Sequence, residues 1–298
     1  MTQTNNVKYA IGIDVGGTKI EAAVVSSLGK VLNPIRLPTP HETNILTEAI
    51  RQIVDDLKGI APIEGIGFSI PGSIDPLTGI LRNAPNSPTI NNTNYFLRLT
   101  NELPLPCLFE NDANCLILSE HYFGVARKHT HAVGLIMGTG FGSGVIIDNK
   151  LLKGSSGLAP EIGHAVINFK GRQCHCGKRG CAEAYLSGPS ILKRYHEAKG
   201  LTDVKTTQEL FKRKKRDNLA DHIINETLNI FSTIVGNLVS IYDPEIIVLG
   251  GGLSQQPLYF QYAHVIEKNI FGSKKAPLIR PAKYGDASGK LGAAALFF

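Results

Sequence analysis

Apolar residues recur along the chain at two different spacings, which predict strands and helices in a regular order. Two segments, 9–32 and 131–152, each contain an apolar strand, a glycine-rich turn, a second apolar strand and a short polar turn. Strands that meet at glycine corners are typical of β-hairpins. Because the pattern occurs once in each half of the chain, it predicts two domains of like topology rather than a solenoid.

Helix-like spacing fills the intervals between these strands. The predicted helices cover residues 45–58, 113–123, 189–198, about 219–241 and, at the end of the chain, 291–298. The long helix is followed by a β-branched strand within 245–253. Strands, then a helix, then a further strand in each half indicate the α/β class.

The composition is that of a globular protein, with 43% apolar and 19% charged residues in a chain of 298, long enough for two hydrophobic cores. No apolar run reaches about 18 residues and no secretory signal opens the chain, so we expect a cytoplasmic protein without a membrane partner. The net charge of +6 comes partly from the basic run 212–216. No aromatic residue interleaves this run, so we interpret it as a solvated helix end or loop and expect no nucleic-acid partner.

Three glycine-rich segments adjoin predicted strands. Residues 14–19 do not have the P-loop spacing, and residues 138–144 are followed by a strand, which excludes a Rossmann turn. Glycine in such places either only shapes a tight hairpin or lets consecutive amides approach an anion. The matched positions of the two segments favour a phosphate held between two domains. The third segment, 250–252, ends a strand, where α/β proteins bind ligands, although a simple turn is the alternative.

Three consecutive polar residues, Glu110, Asn111 and Asp112, stand between a predicted strand and a predicted helix. One of them can serve as the helix N-cap. A single cap does not account for three polar side chains. A carboxylate at this junction could instead accept a proton from a hydroxyl group, as the base of a phosphotransferase must.

The stretch 163–183 contains three cysteines close to histidine, a pattern that indicates a zinc site. The chain has five cysteines, and the odd number and the clustering argue against a disulfide framework and for metal ligation in a reducing compartment. Cys107 and Cys115 stand apart and are predicted to be buried thiols. Glu161 and Glu183 flank the stretch, and a site filled by histidine and cysteine does not need them.

In combination these motifs resemble the ROK family of sugar kinases and repressors, within the actin-like, hexokinase-like ATPase superfamily. The matching segments follow the family's order along nearly the whole chain: GIDVGGTK (12–19), ENDANC (110–115), GTGFGSGV (138–145), EIGH (161–164), CHCGKRGCAE (174–183) and VLGGGL (248–253). The resemblance implies a two-domain α/β fold of the ribonuclease H-like ATPase type with an interdomain cleft. We expect an N-terminal domain over residues 1–125, completed by the C-terminal helix at 288–298, and a second domain over 126–287 that carries the zinc-binding loop.

The resemblance also implies site residues and cofactors. Asp112 would be the general base. The sugar contacts would come from Gly72, Asn86, Asn111, Asp112, Glu161, His164 and Glu183. ATP would be held by Asp14, Gly16, Gly17, Thr18, Lys19, Gly138, Thr139, Gly140, Gly142, Gly144, Gly251 and Gly252, with Asp14 near the accompanying Mg²⁺.

The zinc ligands implied by the resemblance are His164, Cys174, Cys176 and Cys181. Four such ligands form a closed, structural site, and Zn²⁺ would orient the loop that carries the sugar contacts. A zinc ion that stabilises the loop without affecting sugar affinity is the alternative. His175, between two of the cysteines, is interpreted as a bystander.

We therefore predict a kinase that transfers the γ-phosphate of ATP to the 6-hydroxyl of a hexose. Segments 70–88 and 284–296 most resemble fructokinases and mannokinases, and the short spacing from His164 to Cys174 resembles glucokinase-like and N-acetylmannosamine kinase members. The stretch LSGPS (186–190) resembles N-acetylglucosamine kinases. These features favour fructose, mannose or glucose, with N-acetylglucosamine and N-acetylmannosamine as alternatives.

Two other classes of protein share some of these features. A sugar-responsive ROK regulator without catalysis would have the sugar and zinc motifs. However, too few residues precede the first strand for a helix-turn-helix, and both DVGGTK and Asp112 are intact. A zinc-ribbon protein that binds nucleic acid would leave the glycine turns unexplained. The resemblance also implies a homodimer.

Overall fold

The computed structural model describes residues 7–84, 87–272 and 275–298. The chain divides into two compact units. The first unit takes in the residues up to 128 together with 151–159 and 283–298, and the second takes in 129–150 and 160–282. Segment 151–159, which the sequence assigned to the second domain, therefore belongs with the first unit.

The strands occur in the order expected of an α/β protein. They are β1 (Tyr9–Val15), β2 (Lys19–Ser26), β3 (Val31–Pro38), β4 (Ile63–Ile70), β5 (Ser73–Ile74), β6 (Leu81–Arg82), β7 (Cys107–Asn111), β8 (Ala132–Met137), β9 (Phe141–Ile147), β10 (Lys150–Leu151), β11 (Ile246–Gly250) and β12 (Leu278–Pro281).

The helices lie where the apolar spacing predicted them, with ends that differ by a few residues, and shorter helices occur between them. They are α1 (Thr43–Leu57), α2 (Tyr95–Thr100), α3 (Asp112–Tyr122), α4 (Glu183–Leu186), α5 (Gly188–Lys199), α6 (Thr207–Arg213), α7 (Asn218–Tyr242), α8 (Leu258–Gln261), α9 (Ala263–Glu267) and α10 (Ser288–Ala295). Single 3-10 turns form at Ile162–His164, Gly252–Gln255 and Gly285–Ala287.

Each unit is built on a five-stranded sheet, and the two sheets have the same order. The order is β3-β2-β1-β4-β7 in the first unit and β10-β9-β8-β11-β12 in the second. In both units the opening hairpin is antiparallel, and the next two strands run parallel to its first strand. The prediction of two domains of like topology is confirmed.

Apolar packing in the first unit holds the strands that end at the polar residues. Helix α1 buries one face, formed by Leu46, Ile50, Ile53, Val54 and Leu57. The rings of Phe68 in β4 and Phe109 in β7 are stacked, with centroids 4.9 Å apart, and Phe96 of α2 lies 5.2 Å from Phe109. These aromatic contacts keep β4 and β7 side by side up to the ends of both strands.

The C-terminal helix α10 lies directly on the first sheet. A Cβ atom on Gly12 of β1 would lie 1.9 Å from the carbonyl oxygen of Lys290, and one on Gly67 of β4 would lie 1.8 Å from that of Ala293. A methyl group fits neither contact, so glycine in both strands permits the close approach of the helix backbone. Leu291 of the helix is fully buried. The last residues of the chain thus complete the core of the first unit.

An ion pair ties segment 151–159 to the first unit. The ammonium nitrogen of Lys153 lies 3.1 Å from the carboxylate of Glu110, a buried residue. The amide of Ala159 donates to the carbonyl oxygen of Lys153 at 3.2 Å and closes the segment into a loop. Because Glu110 and Lys153 are distant in the sequence, the local pattern gave no sign of this attachment.

The basic run lies at the end of α6 and just beyond it. Arg213 pairs with Asp203 at 2.5 Å, and Lys214 pairs with Asp221. These partners agree with the interpretation of the run as a solvated helix end. Among the described helices, none is both long and apolar enough to cross a membrane.

Candidate functional site

The carboxyl ends of three parallel strands bring polar residues together at one edge of the first sheet. In the strand register, Asp14 of β1 pairs with Ser69 of β4, and Ser69 pairs with Glu110 of β7. Asn111 is the last residue of β7, and Asp112 is the first of α3. The edge where parallel strands end is where α/β proteins bind their ligands.

Asp14 is largely shielded from solvent at this edge. Burial raises the pKa of its carboxyl group to about 6, and the charges of Asp112 and Glu21 act in the same direction. The hydroxyl group of Ser69 donates a hydrogen bond to Asp14 Oδ1 at 2.7 Å and opposes this rise. Asp14 is therefore poised to take up a cation or a proton near neutral pH.

Asn111 serves as the N-cap of α3. Its Oδ1 accepts from the amide of Ala113 at 2.9 Å, which is the capping role considered from the sequence. Its Nδ2 donates to the carbonyl oxygen of Gly72 at 2.9 Å. Gly72 has a φ of +73° in the turn after β4. Two predicted sugar contacts, Asn111 and Gly72, thus lie in direct contact.

Asp112 opens α3 and is reached by solvent. Desolvation by the neighbouring protein raises the pKa of its carboxyl group, while hydrogen bonds from the amide of Ala113 and from Asn111 oppose the rise. The amide of Ala113 donates to Asp112 Oδ1 at 2.8 Å. A fixed, accessible carboxylate with a raised pKa has the properties required of a general base.

Glu110 is the member of the polar triplet whose position the sequence did not interpret. It is 8% exposed, and its Oε1 accepts from the amide of Asn111 and from Asn114 Nδ2 at 3.0 and 2.9 Å. With Lys153 on its other oxygen, Glu110 is fully engaged in holding the loop around Asn111. Its burial among polar partners depends on tertiary contacts that the sequence did not reveal.

The first glycine turn, residues 16–18, connects β1 to β2 as predicted. The amide of Gly16 donates to the carbonyl oxygen of Lys19 at 2.9 Å, and Thr39 Oγ1 donates to the carbonyl oxygen of Gly16 at 2.6 Å. Lys19 Nζ lies 3.0 Å from Asp286 and 3.5 Å from Glu21. Gly17 and Thr18 form the remainder of the turn, next to Asp14.

The second glycine turn is shorter than the sequence suggested. It covers residues 138–140, because β9 begins at Phe141 and incorporates Gly142 and Gly144. Gly138 and Thr139 remain in the turn, where the amide of Gly138 donates to the carbonyl oxygen of Gly140 at 3.0 Å. The two strand glycines therefore shape the sheet rather than the turn.

The third glycine cluster lies beside the second turn. Gly250 is the last residue of β11, which runs parallel to β8. Gly251 has a φ of +80°, and a Cβ atom there would lie 2.5 Å from the carbonyl oxygen of Met137, the last residue of β8. Gly251 and Gly252 thus adjoin the turn 138–140 at the carboxyl edge of the second sheet. The sequence pattern predicted a ligand site at this edge.

The segment that carries Glu161 is anchored by Ser143 of β9. Ser143 Oγ donates to the carbonyl oxygen of Pro160 at 2.7 Å and accepts from the amide of Ile162 at 3.3 Å. The 3-10 turn that follows contains His164, whose amide donates to the carbonyl oxygen of Glu161 at 3.1 Å. Glu161 and His164 are therefore successive features of one short, well-anchored segment.

The four predicted zinc ligands come together. A ring nitrogen of His164 and the sulfur atoms of Cys174, Cys176 and Cys181 all lie within 4.8 Å of one another. Cys174 Sγ is 3.7 Å from His164 Nδ1, and Cys176 Sγ is 3.6 Å from Cys181 Sγ. Tetrahedral bonds of about 2.0–2.3 Å to Zn²⁺ would separate the donors by roughly 3.5–3.8 Å, so the cluster fits this ion. Burial lowers the pKa of His164, which favours the neutral imidazole that ligation requires.

Glu183 begins α4, directly after the cysteine stretch. Its Oε2 accepts from the amide of Phe141 at 2.9 Å, and its Oε1 lies 2.6 Å from Nε2 of His175. His164, Cys174, His175 and Glu183 form a second group of donor atoms within 4.8 Å of one another. The bond from Phe141 to Glu183 was not expected from the sequence. Asn86, the remaining predicted sugar contact, lies outside the described residues.

The two sheets of equal order and the glycine turns at their carboxyl edges define an α/β protein of the actin-like, ribonuclease H-like ATPase class. The chain belongs to the ROK family, whose family model matches residues 10–298.

Two proteins of similar sequence are named as sugar kinases. An N-acetyl-D-glucosamine kinase of Pasteurella multocida is 34% identical, over 96% of this chain and 98% of the relative. A glucokinase of Thermotoga maritima is 35% identical, over 82% of each chain. The crystal structure of a ROK family glucokinase from Streptomyces griseus, in complex with glucose and AMPPNP, has a TM-score of 0.78 and 28% identity, and the match covers 97% of this chain and 98% of that one.

Proposed function

We propose that this protein is an ATP-dependent hexose kinase that phosphorylates the 6-hydroxyl of a sugar with the D-gluco configuration. The observation that carries the proposal is the grouping of Asp14, Asn111 and Asp112 at one sheet edge, in a chain of the ROK family. The related kinases reported above support the class of this activity, which is the ATP-dependent phosphorylation of a sugar.

Asp112 would act as the general base. Its carboxylate accepts the proton of the sugar hydroxyl while the hydroxyl oxygen forms a bond to the γ-phosphorus and the bond from that phosphorus to the β,γ-bridging oxygen breaks. The products are the sugar phosphate and ADP. The raised pKa of Asp112 supports this role, because a base is most effective when its pKa lies nearer to the operating pH.

The nucleotide would be held by the glycine turns. The amides of residues 16–18 and 138–140 would donate to phosphate oxygens, Lys19 would balance phosphate charge, and Gly251 and Gly252 would lie along the adenosine. Mg²⁺, bound near Asp14, would neutralise charge on the phosphates. Support comes from the position of each group at the carboxyl edge of its own sheet.

The sugar would be held by Asn111, Gly72, Glu161, His164 and Glu183. A polyol is recognised by paired, buried polar groups, and carboxylates and an amide supply both acceptors and a donor. His164 faces the thiols through Nδ1, which leaves Nε2 for a sugar hydroxyl. A structural Zn²⁺ bound by His164 and the three clustered cysteines would stabilise this arrangement.

The similar kinases bear on the choice of sugar. The sequence favoured fructose, mannose or glucose, whereas the named relatives act on glucose and on N-acetylglucosamine at almost equal identity. Both sugars share the D-gluco configuration and differ at C2. We therefore infer glucose or N-acetylglucosamine as the substrate and keep fructose, mannose and N-acetylmannosamine as candidates to test. The homodimer implied by the family resemblance stays a prediction.

The first experiment is a coupled ADP-release assay with MgATP and five sugars: glucose, N-acetylglucosamine, N-acetylmannosamine, mannose and fructose. We expect kcat/KM to be highest for glucose or N-acetylglucosamine. The highest value with fructose would contradict the proposed substrate and restore the expectation drawn from the sequence. No turnover with any of the five would contradict kinase activity on hexoses and favour a sugar-responsive regulator.

The Asp112→Asn variant tests the general base. Asparagine keeps the shape of the side chain and its position at the start of α3, but it cannot accept the proton. We expect kcat to fall by roughly 10²- to 10⁴-fold, the usual contribution of a general base. Circular dichroism should be unchanged. A variant that keeps a tenth or more of wild-type kcat would exclude Asp112 as the base.

A further inference from the structure

His175 has a contact that its position between two zinc-ligand cysteines does not explain. Its Nε2 lies 2.6 Å from Oε1 of Glu183, although the imidazole is 64% exposed. Because an ionised carboxylate can only accept, Nε2 carries the hydrogen and donates to Glu183. A residue that served only as a spacer between the two cysteines would not need a hydrogen bond to Glu183.

Glu183 is far less accessible than its partner, with 14% of its side chain exposed. Its other oxygen, Oε2, accepts from the amide of Phe141, the first residue after the glycine turn. A Cβ atom on Gly140 would lie 2.9 Å from that same oxygen. The carboxylate therefore lies against the backbone of the turn, held there by one main-chain donor and one side-chain donor.

The turn has a second attachment to the same part of the chain. The amide of Gly188, at the start of α5, donates to the carbonyl oxygen of Gly138 at 2.8 Å. Glu183 and Gly188 thus hold the two ends of residues 138–141 between them. Any shift of Glu183 changes one of these two attachments.

We propose that His175 is a positioning residue that orients Glu183 and, through the bond from Phe141 to Glu183, links the cysteine loop to the glycine turn. This inference rests on the proposed function in that Glu183 is assigned to the sugar and the turn to the nucleotide. His175 then fixes which carboxylate oxygen faces the turn and which is turned toward the loop. Its loss weakens sugar binding and loosens the turn, while the zinc ligands stay in place.

A competing assignment makes His175 and Glu183 metal ligands together with His164 and Cys174, since these donors also lie within 4.8 Å of one another. The donor chemistry favours positioning, because the set with three cysteines offers softer donors to Zn²⁺.

The test compares His175→Leu, which removes the donor, with His175→Gln, whose amide can donate again. His41→Leu, a substitution of an exposed histidine in the loop before α1, is the matched control. For each full-length protein we would measure zinc per chain, kcat and KM for sugar, and hydrogen–deuterium exchange of the peptide covering 138–146. The exchange measurement needs no substrate.

In His175→Leu we expect unchanged zinc, a three- to tenfold higher KM for sugar, kcat within twofold of wild type, and faster exchange in the turn, as the loss of one solvent-exposed hydrogen bond implies. His175→Gln should recover most of the KM. Unchanged exchange in His175→Leu overturns the proposal whether or not the wild type phosphorylates any sugar. A loss of zinc in His175→Leu overturns it too, because His175 would then be a ligand. An inactive wild type contradicts only the proposed function, and the exchange data then decide the inference.

Discussion

At the scale of single residues, several carboxylates lie close together at the carboxyl edge of the first sheet, and some of them are shielded from solvent. Asp14 is the clearest case, since burial raises the pKa of its carboxyl group to about 6. The Ser69 hydroxyl and Lys19 reduce this cost without removing it. An ionised carboxylate at this position destabilises the fold, but it provides a negative charge to which a ligand can bind.

The sign of the Asp14 effect can be tested through stability. The pKa in the folded state is higher than in the unfolded chain, so Asp14 stabilises the fold below about pH 4, and that stabilisation is lost as the pH rises through about 6. Asp14→Asn does not titrate, and its amide oxygen can still accept from Ser69. Relative to wild type, its free energy of unfolding should improve by about 1–3 kcal/mol between pH 4 and pH 7.

The measurement is urea denaturation followed by circular dichroism across this pH range, without magnesium or nucleotide. Asp286→Asn is the control, because that carboxylate is 85% exposed beside the same Lys19. An Asp14→Asn variant whose stability runs parallel to wild type at every pH would refute the raised pKa.

At the scale of elements, α10 shows how a helix and a sheet can meet at their backbones. Gly12 and Gly67 provide bare strand surface, and Gly292 of the helix does the same toward α3, where a Cβ atom would lie 1.9 Å from the carbonyl oxygen of Cys115. Each of these contacts involves main-chain atoms, which cannot rotate away as a side chain can. The packing of α10 therefore depends on glycine in three separate elements.

Gly67→Ala should destabilise the protein strongly. The new methyl group would meet the carbonyl of Ala293, and overpacking of this kind costs about 1–3 kcal/mol or more. Gly59→Ala is the matched control, since a Cβ atom there meets nothing within 4 Å, and we expect it to leave stability unchanged or slightly raised. Thermal denaturation of both variants checks this, and equal melting temperatures would contradict the packing of α10 on β4.

At the scale of the whole molecule, the chain passes between its two units, and carboxylates bind the main chain at two of these passages. Glu120, fully buried in α3, accepts from the amides of Lys283 and Tyr284 at 2.7 and 3.2 Å and from that of Val125 at 2.9 Å. Glu245 accepts from the amides of Thr130 and His131 at 2.7 and 3.0 Å, and these bonds lower its pKa to about 2. Each carboxylate fixes the chain within its own unit, just where a passage begins or ends.

Glu120→Gln tests the anchor at residues 283–284. One oxygen of the buried carboxylate becomes an NH₂ group that cannot accept, so at least one main-chain amide loses its partner. We expect a loss of about 1–3 kcal/mol in the free energy of unfolding. Glu48→Gln, on an exposed face of α1, should be neutral. Equal stability of the two variants would show that Glu120 does not anchor the C-terminal segment.

Local patterns in the sequence were sufficient for much of this protein. Apolar runs with glycine corners predicted the two hairpins, because strand composition and turn geometry are properties of neighbouring residues. The spacing of three cysteines and a histidine predicted the donor cluster, and the motif resemblance led to Asp112, Asn111 and Gly72. Even the helical state of α10 could be read from its apolar spacing.

Other features were decided only by tertiary structure, because they depend on which distant residues meet. The sequence placed Glu110 between a predicted strand and a predicted helix, but it did not predict the ion pair with Lys153 that ties 151–159 to the first unit. It identified His175 as a bystander, since nothing local points from its ring to Glu183. Nor could it give the raised pKa of Asp14, which results from burial by three strands and a helix brought together from opposite ends of the chain. Local order follows from short-range sterics and periodicity, whereas burial, ion pairing and close backbone contact exist only once the chain has folded.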